Sequence, residues 1–471
     1  MAWVAIPNNP DWEYDNAATA ADCIGANGTT TSGIRTFTSA SGGVQLTYVK
    51  VRRVGETGDT SKGELSKGFW DAKGDEDDIE TDMILVFRTT TANEEVRIGA
   101  AHYYVNGQST DYDASIDWGD GTTSAVTGSP VNNAGLVHTF ASAGDHTVRV
   151  SGPGFHEVNF KPGSISTDCG GNTEAQTDKL ISVLNLGDIG HKALRFAFQR
   201  TRQMSSFTLG HTDLSNCTGM GDFFRYRTWN MNDNAVPCTV DLTGLDMSGF
   251  TDGSPRWASG MFENSAVNMN TLNLTGINTA GITSMNSLFT NIAGGSSVVA
   301  NALNLTTIDV RPFNTSSVTS FSSMFSQNAT LTTITGIEDM DISSGIYFAL
   351  MFYATDLTGS LDISSWDFSN ATQYSWMFYS CDKLTDIIGI ENINVTNLYS
   401  TGEFVGFLHD VTLPTSRYDQ LLINLAAQTK NQATQTANFG NSQYTAGGAA
   451  EAARTSLISN DGYTITDGGS A

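Results

Sequence analysis

The strongest pattern along the chain is an apolar motif that returns at a nearly fixed interval. Anchoring on a Phe usually preceded by Met or a similar apolar residue gives Phe198, Phe224, Phe262, Phe289, Phe325, Phe352, Phe378 and Phe404. Successive separations are 26, 38, 27, 36, 27, 26 and 26 residues, so the period is about 26, with insertions near Trp229 to Pro237 and Ile292 to Ala302. Ahead of the anchors run spaced apolar positions: Leu242, Leu245, Met247; Leu272, Leu274, Ile277; Leu331, Ile334, Ile337; Leu361, Ile363, Trp366; Ile387, Ile390, Ile393. This spacing predicts short strands, each followed by a turn and an irregular or helical return carrying the Met-Phe pair. One unit cannot bury its own apolar face, so about eight coils must stack around a shared core, with parallel strands roughly 4.8 Å apart.

Upstream, strands are predicted over Asp82 to Thr89 and Glu95 to Val105, then through Ala114-Ser115-Ile116-Asp117 into a tight turn, with Val148-Arg149-Val150 returning. The first 75 or so residues contain one strand-like run, Val44 to Val51. Ser416 to Leu425 and Ala446 to Ser459 read as amphipathic helices. The chain is therefore predicted to be mainly β, in four parts: an N-terminal β module (1–76), a β-sandwich (77–155), the repeats (156–412) and a small α+β cap (413–471).

Three resemblances refine this. The units Leu361-Asp362-Ile363-Ser364-Ser365-Trp366-Asp367-Phe368-Ser369-Asn370 with Trp376-Met377-Phe378, and Phe313-Asn314-Thr315-Ser316-Ser317-Val318-Thr319 with Met324-Phe325, resemble BspA-like surface repeats. That implies a leucine-rich-repeat-like solenoid used for attachment or display, closed by its C-terminal segment. Asp117-Trp118-Gly119-Asp120-Gly121, His138-Thr139-Phe140 and Gly144-Asp145-His146-Thr147-Val148-Arg149-Val150 resemble a PKD-type immunoglobulin-like sandwich. The opening Ile6-Pro7-Asn8-Asn9-Pro10-Asp11-Trp12 and Gly63-Glu64-Leu65-Ser66-Lys67-Gly68-Phe69-Trp70 resemble a module of marine cyanophage virion proteins. By that resemblance Trp3, Trp12, Tyr14 and Trp70 are candidate docking residues.

Composition narrows the partners. Only 15% of the 471 residues are charged, yet 49 are acidic against 24 basic, a net charge of -25. Nucleic acid is not an expected partner, because phosphate binding depends on Lys and Arg, and between Trp257 and Ser416 the only basic residues are Arg311 and Lys383. No apolar run approaches the roughly 18 residues of a membrane helix. Met1 to Pro7 lack the basic and apolar regions of a secretory signal. The five cysteines, Cys23, Cys169, Cys217, Cys238 and Cys381, form no CxxC pair, which argues against a disulfide framework or zinc site.

Catalytic motifs are lacking: no HExxH, GxSxG, Walker A loop or strand-borne GxGxxG occurs. The run Asp75-Glu76-Asp77-Asp78-Ile79-Glu80-Thr81-Asp82 and the pair Asp117 and Asp120 are candidate calcium ligands, with a solvated linker and turn capping as the expected readings. Asp362 and Asp367 fit the repeat pattern rather than a carboxylate pair for glycoside cleavage. The aromatics outside the period, Tyr226, Trp229, Trp257, Tyr347, Tyr353, Tyr374 and Tyr379, are candidates for a surface-binding face. The resemblances imply a non-enzymatic phage virion protein, a tail fibre, spike or capsid decoration component made in the host cytoplasm. It would need no cofactor, form homo-oligomers, contact other virion proteins, and bind a host glycan or protein by many weak contacts. The alternatives are a BspA-like bacterial surface adhesin and, behind it, a polysaccharide-acting enzyme.

Overall fold

The computed structural model describes residues 81–101, 111–129, 133–162, 173–225, 236, 238–250, 258–265, 271–291, 305–431 and 434–471. It also gives the backbone of five strands between residues 3 and 53, of 104–105 and 108–109, and of 269–270. Near the N-terminus, Trp3–Ile6, Asn9–Asp15 and Lys50–Arg53 form a three-stranded antiparallel sheet, and Arg35–Phe37 pairs with Val44–Leu46. The single strand expected over Val44 to Val51 is thus two strands in different sheets.

The centre of the molecule is a mixed eight-stranded sheet. Its antiparallel part uses β1 (Met83–Thr89), β3 (Tyr112–Asp117), β4 (Thr123–Gly128) and β6 (Gly144–Gly154); β2 (Glu94–Arg97) and β5 (Val137–Phe140) pair separately. Tyr112, Ala114 and Ile116 are buried while Asp113, Ser115 and Asp117 are exposed, the alternation of a strand with one wet face. β1 instead reads Met-Ile-Leu-Val-Phe, with Met83, Ile84, Leu85 and Phe87 all buried. That run suits a strand covered on both faces, and β1 lies inside the sheet, between β6 and β7 (Leu180–Asn185), the first strand of the repeats. The strand expected over Glu95 to Val105 ends at Arg97 because the backbone changes partner. Ile98 still donates to Leu136, whereas Ala101 donates to Glu157, and Asn159 to Gly99.

From β7 onward the strands are parallel. β8 (Ser206–Thr208), β9 (Cys238–Asp241) and β10 (Met269–Asn273) extend the same sheet. β11 (Thr307–Asp309) pairs with β12 (Thr333–Thr335), and β13 (Gly359–Asp362) with β14 (Leu384–Ile388). These strands are shorter than the apolar stripes predicted. In several coils a carboxylate or amide ends them: Asp241, Asn273 and Asp362 accept the backbone N–H two residues on, forming side-chain turns. A second set, Asp246, Asn278, Asn314, Asp341, Asp367 and Asn394, does the same at the next corner.

The opposite flank of each coil, carrying the anchor Phe, is irregular in dihedral angles but regular in hydrogen bonding. Backbone N–H groups of Phe321, Ser323, Phe325 and Gln327 donate to carbonyls of Tyr347, Ala349, Met351 and Tyr353 in the next coil. Phe348, Leu350, Phe352 and Ala354 donate likewise to Gln373, Ser375, Met377 and Tyr379. All four donors point one way because the residues two before and two after the anchor adopt positive φ, as at Ser323 (57°), Gln327 (60°), Leu350 (60°) and Ala354 (53°).

This register corrects the sequence alignment at both ends. Phe378 donates to Phe407, so Leu408, not Phe404, occupies the final anchor position, with Gly406 and Asp410 as its positive-φ flanks. At the start, Phe160 donates to Ala197 and its ring stacks on Phe198 at 5.8 Å, joining the column ahead of the first predicted anchor. Rings from Phe160 to Phe378 form a continuous stack, with neighbouring centroids 5.8, 6.0, 5.9, 5.6, 5.8, 5.7 and 5.2 Å apart. Such offset pairs add to burial roughly 0.5–1.5 kcal/mol each.

Both ends of the stack are closed within the chain. β1 covers β7 on the strand side, and residues 155–160 cover the first coil on the Phe side. At the far end α1 (Thr415–Ala427) and α2 (Ala449–Ser459) form where helices were expected, with β15 (Thr436–Asn438) pairing parallel with β16 (Thr464–Thr466). Leu408 donates to Asn438, and α1 buries Tyr418, Leu421, Leu422 and Leu425. Arg417 ties α1 to the last coils through Asp386 and Glu391. Among the described residues the architecture is mostly β, with several small parallel and antiparallel sheets, and no helix is long and apolar enough to cross a membrane.

Two stability predictions follow from the packing. Phe325 is fully buried in mid-column, so Phe325→Ala should cost about 3–5 kcal/mol in urea unfolding; a loss below 1 kcal/mol would contradict the ring stack. His191 is buried, its Nε2 lies 3.1 Å from the Leu186 carbonyl oxygen, and burial lowers its pKa to about 4. The unfolded chain, with histidine near 6.5, then binds the extra proton first. Stability should therefore fall by up to about 3 kcal/mol as pH drops from 6.5 to 4, and level off below. His191→Gln should flatten that window in thermal melts, and an unchanged slope would refute the assignment.

Candidate functional site

The carboxylates and histidines of the antiparallel part are used internally. Asp117 accepts the Gly119 N–H, and Asp120 accepts the N–H and hydroxyl of Thr122 and faces His138 Nε2 at 2.8 Å. These contacts, the Thr122 hydroxyl foremost, hold the Asp120 carboxyl down at about 2. His138 stacks on Trp118 and His146 on Phe140. Gly119 sits at φ 78°, and a Cβ there would lie 2.3 Å from the Thr147 carbonyl oxygen, which is why the hairpin needs glycine. These carboxylates therefore act as turn acceptors. Among the described residues no cluster of His, Cys, Asp or Glu could hold a metal ion; of the acidic run only Thr81 and Asp82 are described, and residues 75–80 lie outside the described residues.

Cys217, Cys238 and Cys381 are buried; Cys23 and Cys169 lie outside the described residues. Burial pushes the Cys217 thiol up to about 12 and the Cys381 thiol to about 11, so both are protonated and poor nucleophiles at neutral pH.

Of the aromatic candidates, Tyr226, Trp229, Trp257 and Trp70 lie outside the described residues. Trp3, Trp12 and Tyr14 fall on the paired N-terminal strands, where Trp3 is opposite Asp15, Tyr14 opposite Val4 and Trp12 opposite Arg53. Tyr374 is not on a surface. It is fully buried, its hydroxyl donates to the Asn394 carbonyl at 2.9 Å, and it stacks on Phe348. It occupies the fourth position before its anchor, equivalent to Phe321 and Phe348, and so is periodic core after all.

Tyr347, Tyr353 and Tyr379 do lie on one flank, the face lined by the positive-φ residues and by those directly after each anchor. Along that face the residues after the anchors read Arg225, Glu263, Thr290, Ser326, Tyr353, Tyr379, then His409 after Leu408. The rings of Tyr353, Tyr379 and His409 stack at 5.3 and 4.4 Å. Beside them is a residue that sequence reading treated only as part of the repeat motif. Trp376, two before its anchor, has φ 55° and remains 40% exposed. Its positive φ is the one every coil adopts at this position, so what sets Trp376 apart is a bulky ring left exposed there.

The indole is held by its neighbour in the next coil. A Cβ on Gly406 (φ 63°) would lie 2.4 Å from Trp376 Cδ1, so only glycine leaves room for the ring. Where the equivalent positions carry Gly260, Ser287 and Ser323, the same face is hollow. Two cavities of about 410 and 560 Å³ meet at Ser287. The first runs from Asp222, Arg225 and Glu263 to Tyr347; the second runs on to Tyr353, Trp376 and Tyr379. Arg225 bridges Asp222 (3.0 Å) and Glu263 (3.1 Å). Burial raises the Glu263 carboxyl, with Arg225 opposing.

Residues 295–405 match a family described as Mycoplasma protein of unknown function, DUF285. That stretch contains the coils anchored on Phe325, Phe352 and Phe378, the aromatic end of the trough. Neither the curated proteins nor the solved structures contain a significant match.

Gly406→Ala should strain the backbone and displace the indole, costing about 1–3 kcal/mol and shifting tryptophan emission to longer wavelength. Unchanged emission and stability would show that Trp376 is not braced there.

Proposed function

We propose that the chain is a non-catalytic attachment and display protein. In this reading a PKD/Ig-like sandwich leads into a BspA-like, leucine-rich-repeat-like solenoid with an α+β cap, and an N-terminal module docks the molecule on a phage particle as a fibre, spike or decoration component. The observation that carries it is the closure of the repeat stack at both ends by the chain's own segments. Such a stack is not built to grow end to end, so partners meet its flank, and that flank holds the trough and the exposed aromatics. Display in many copies would turn weak individual contacts into strong adhesion. The engagement of Asp222 and Glu263 by one guanidinium supports binding rather than hydrolysis, which needs a free acid and base.

A bacterial surface adhesin is the second reading, favoured by the description of the matched family as a Mycoplasma protein. Mass spectrometry of gradient-purified particles and of cell-surface fractions separates the two. The virion reading expects the chain in particles at many copies and an oligomer by light scattering. A monomer found only on cell surfaces would replace it with the adhesin, and reducing ends released from host polysaccharide would overturn the non-catalytic assignment.

A further inference from the structure

We propose that the flank trough is a binding site for a neutral oligosaccharide, lying along the coil stack with its sugar rings on Trp376 and Tyr347. The inference rests on the attachment reading and gives it a ligand class. Four observations lead to it.

First, the shape is that of a channel. From the coil of Asp222 to that of Trp376 there are five inter-coil steps, about 24 Å at the usual strand spacing, which suits an oligomer rather than a single sugar. The hollow arises because Gly260, Ser287 and Ser323 put almost no bulk where Leu350 and Trp376 put a wall.

Second, the lining matches hydroxyl-rich rings. Ser284, Asn286, Thr319 and Ser320 offer hydroxyl and amide groups beside Tyr347, which is 46% exposed. An aromatic face packs against the C–H surface of a sugar while polar neighbours bond its hydroxyls, the general design of a pocket with few placed polar groups. Trp376 and Tyr347 are two of the four large apolar side chains left exposed among the described residues, with Tyr399 and Ile458, and these two line the same trough, where clustered apolar exposure calls for a partner.

Third, the backbone of this face is spent. Its N–H and C=O groups bond coil to coil, so an extended peptide finds no edge to join and could bind only through side chains.

Fourth, charge excludes anionic polymers. Among the described residues lining the trough the one guanidinium, Arg225, is shared by Asp222 and Glu263, and the whole chain carries -25. Sulfated or uronate chains and nucleic acids would meet like charge, with no further cation among the described lining residues to receive them.

The test is isothermal titration of the full-length protein with linear hexaoses: β-1,4-glucan, β-1,3-glucan, α-1,4-glucan and N-acetylglucosamine hexamers. A heparin-derived hexasaccharide and an extended polar decapeptide serve as competitors. At least one neutral hexaose should bind, and Trp376→Ala and Tyr347→Ala should each weaken it at least tenfold. Because truncating Trp376 could disturb its coil, a second variant fills the hollow instead. Ser323→Leu places there the residue that the protein already carries at the equivalent position one coil on, leaves Trp376 and Tyr347 in place, and should weaken binding at least tenfold with little change in melting temperature. The proposal is overturned if no neutral hexaose binds, if Ser323→Leu binds as well as the parent, or if the heparin fragment or the peptide binds in preference. Particle mass spectrometry keeps the two readings apart. Hexaose binding by a chain absent from particles would sink the virion reading alone, whereas presence in particles without hexaose binding would sink this one.

Discussion

Everything in this molecule depends on the fact that a single coil is not a stable object. Its three- to six-residue strand and its Phe-bearing flank both send their hydrogen bonds outward, to the coils on either side. A coil without a neighbour exposes unpaired backbone groups and an apolar face together, and each is costly. The antiparallel part solves the problem at one end by lending β1 to β7 and residues 155–160 to the Phe side. The two helices and the β15–β16 pair solve it at the other. The antiparallel strands are therefore part of the folding unit of the repeats rather than a spacer threaded ahead of them, and one buried core runs continuously from Met83 to Tyr463.

How much of this was legible follows from which interactions are local. The Asp-Trp-Gly-Asp-Gly hairpin and the two C-terminal helices depend on near neighbours in sequence, and both were placed correctly. The Phe column was readable because its period is a sequence property. Its ends were not: Phe160 joins across residues 163–172, which lie outside the described residues, and Leu408 replaces a Phe four positions from the one that fits the interval. The apolar run Met83 to Phe87 announced a strand covered on both faces, but nothing local says that the second cover is the first strand of the repeats. Tyr374 was misplaced because only the anchor was tested for periodicity. Reading the fourth position before the anchor gives Phe321, Phe348 and Tyr374, a buried column, and reading the position after it gives the charged, hydroxylic and aromatic zones of the trough. That signal was present in the sequence and required only a second column of the same alignment.

The acidic excess also acquires a structural cause. Asp241, Asp246, Asp341, Asp362 and Asp367 each cap a corner by accepting the backbone N–H two residues on. Asn does the same work at Asn273, Asn278, Asn314 and Asn394, so the geometry requires an acceptor and not a charge. Where Asp is used, its negative charge is a by-product of turn chemistry repeated once or twice per coil. Summed over the stack it yields a negative field that disfavours polyanions, and selectivity against such partners arises without any residue dedicated to it.

Because every coil offers the same donors forward and the same acceptors back, an added or lost unit of about 26 residues leaves both closures intact. The hollow of the trough is set by how many consecutive coils carry a small residue two before the anchor, here Gly260, Ser287 and Ser323. Duplicating one of these units would lengthen the channel by a single coil rise of about 4.8 Å, and a change from a small residue to Leu at one end would shorten it by as much. The repeat thus works as a ruler whose divisions are inherited whole, so that the reach of this surface can be adjusted by recombination within the gene while its ends, its core and its chemistry stay as they are.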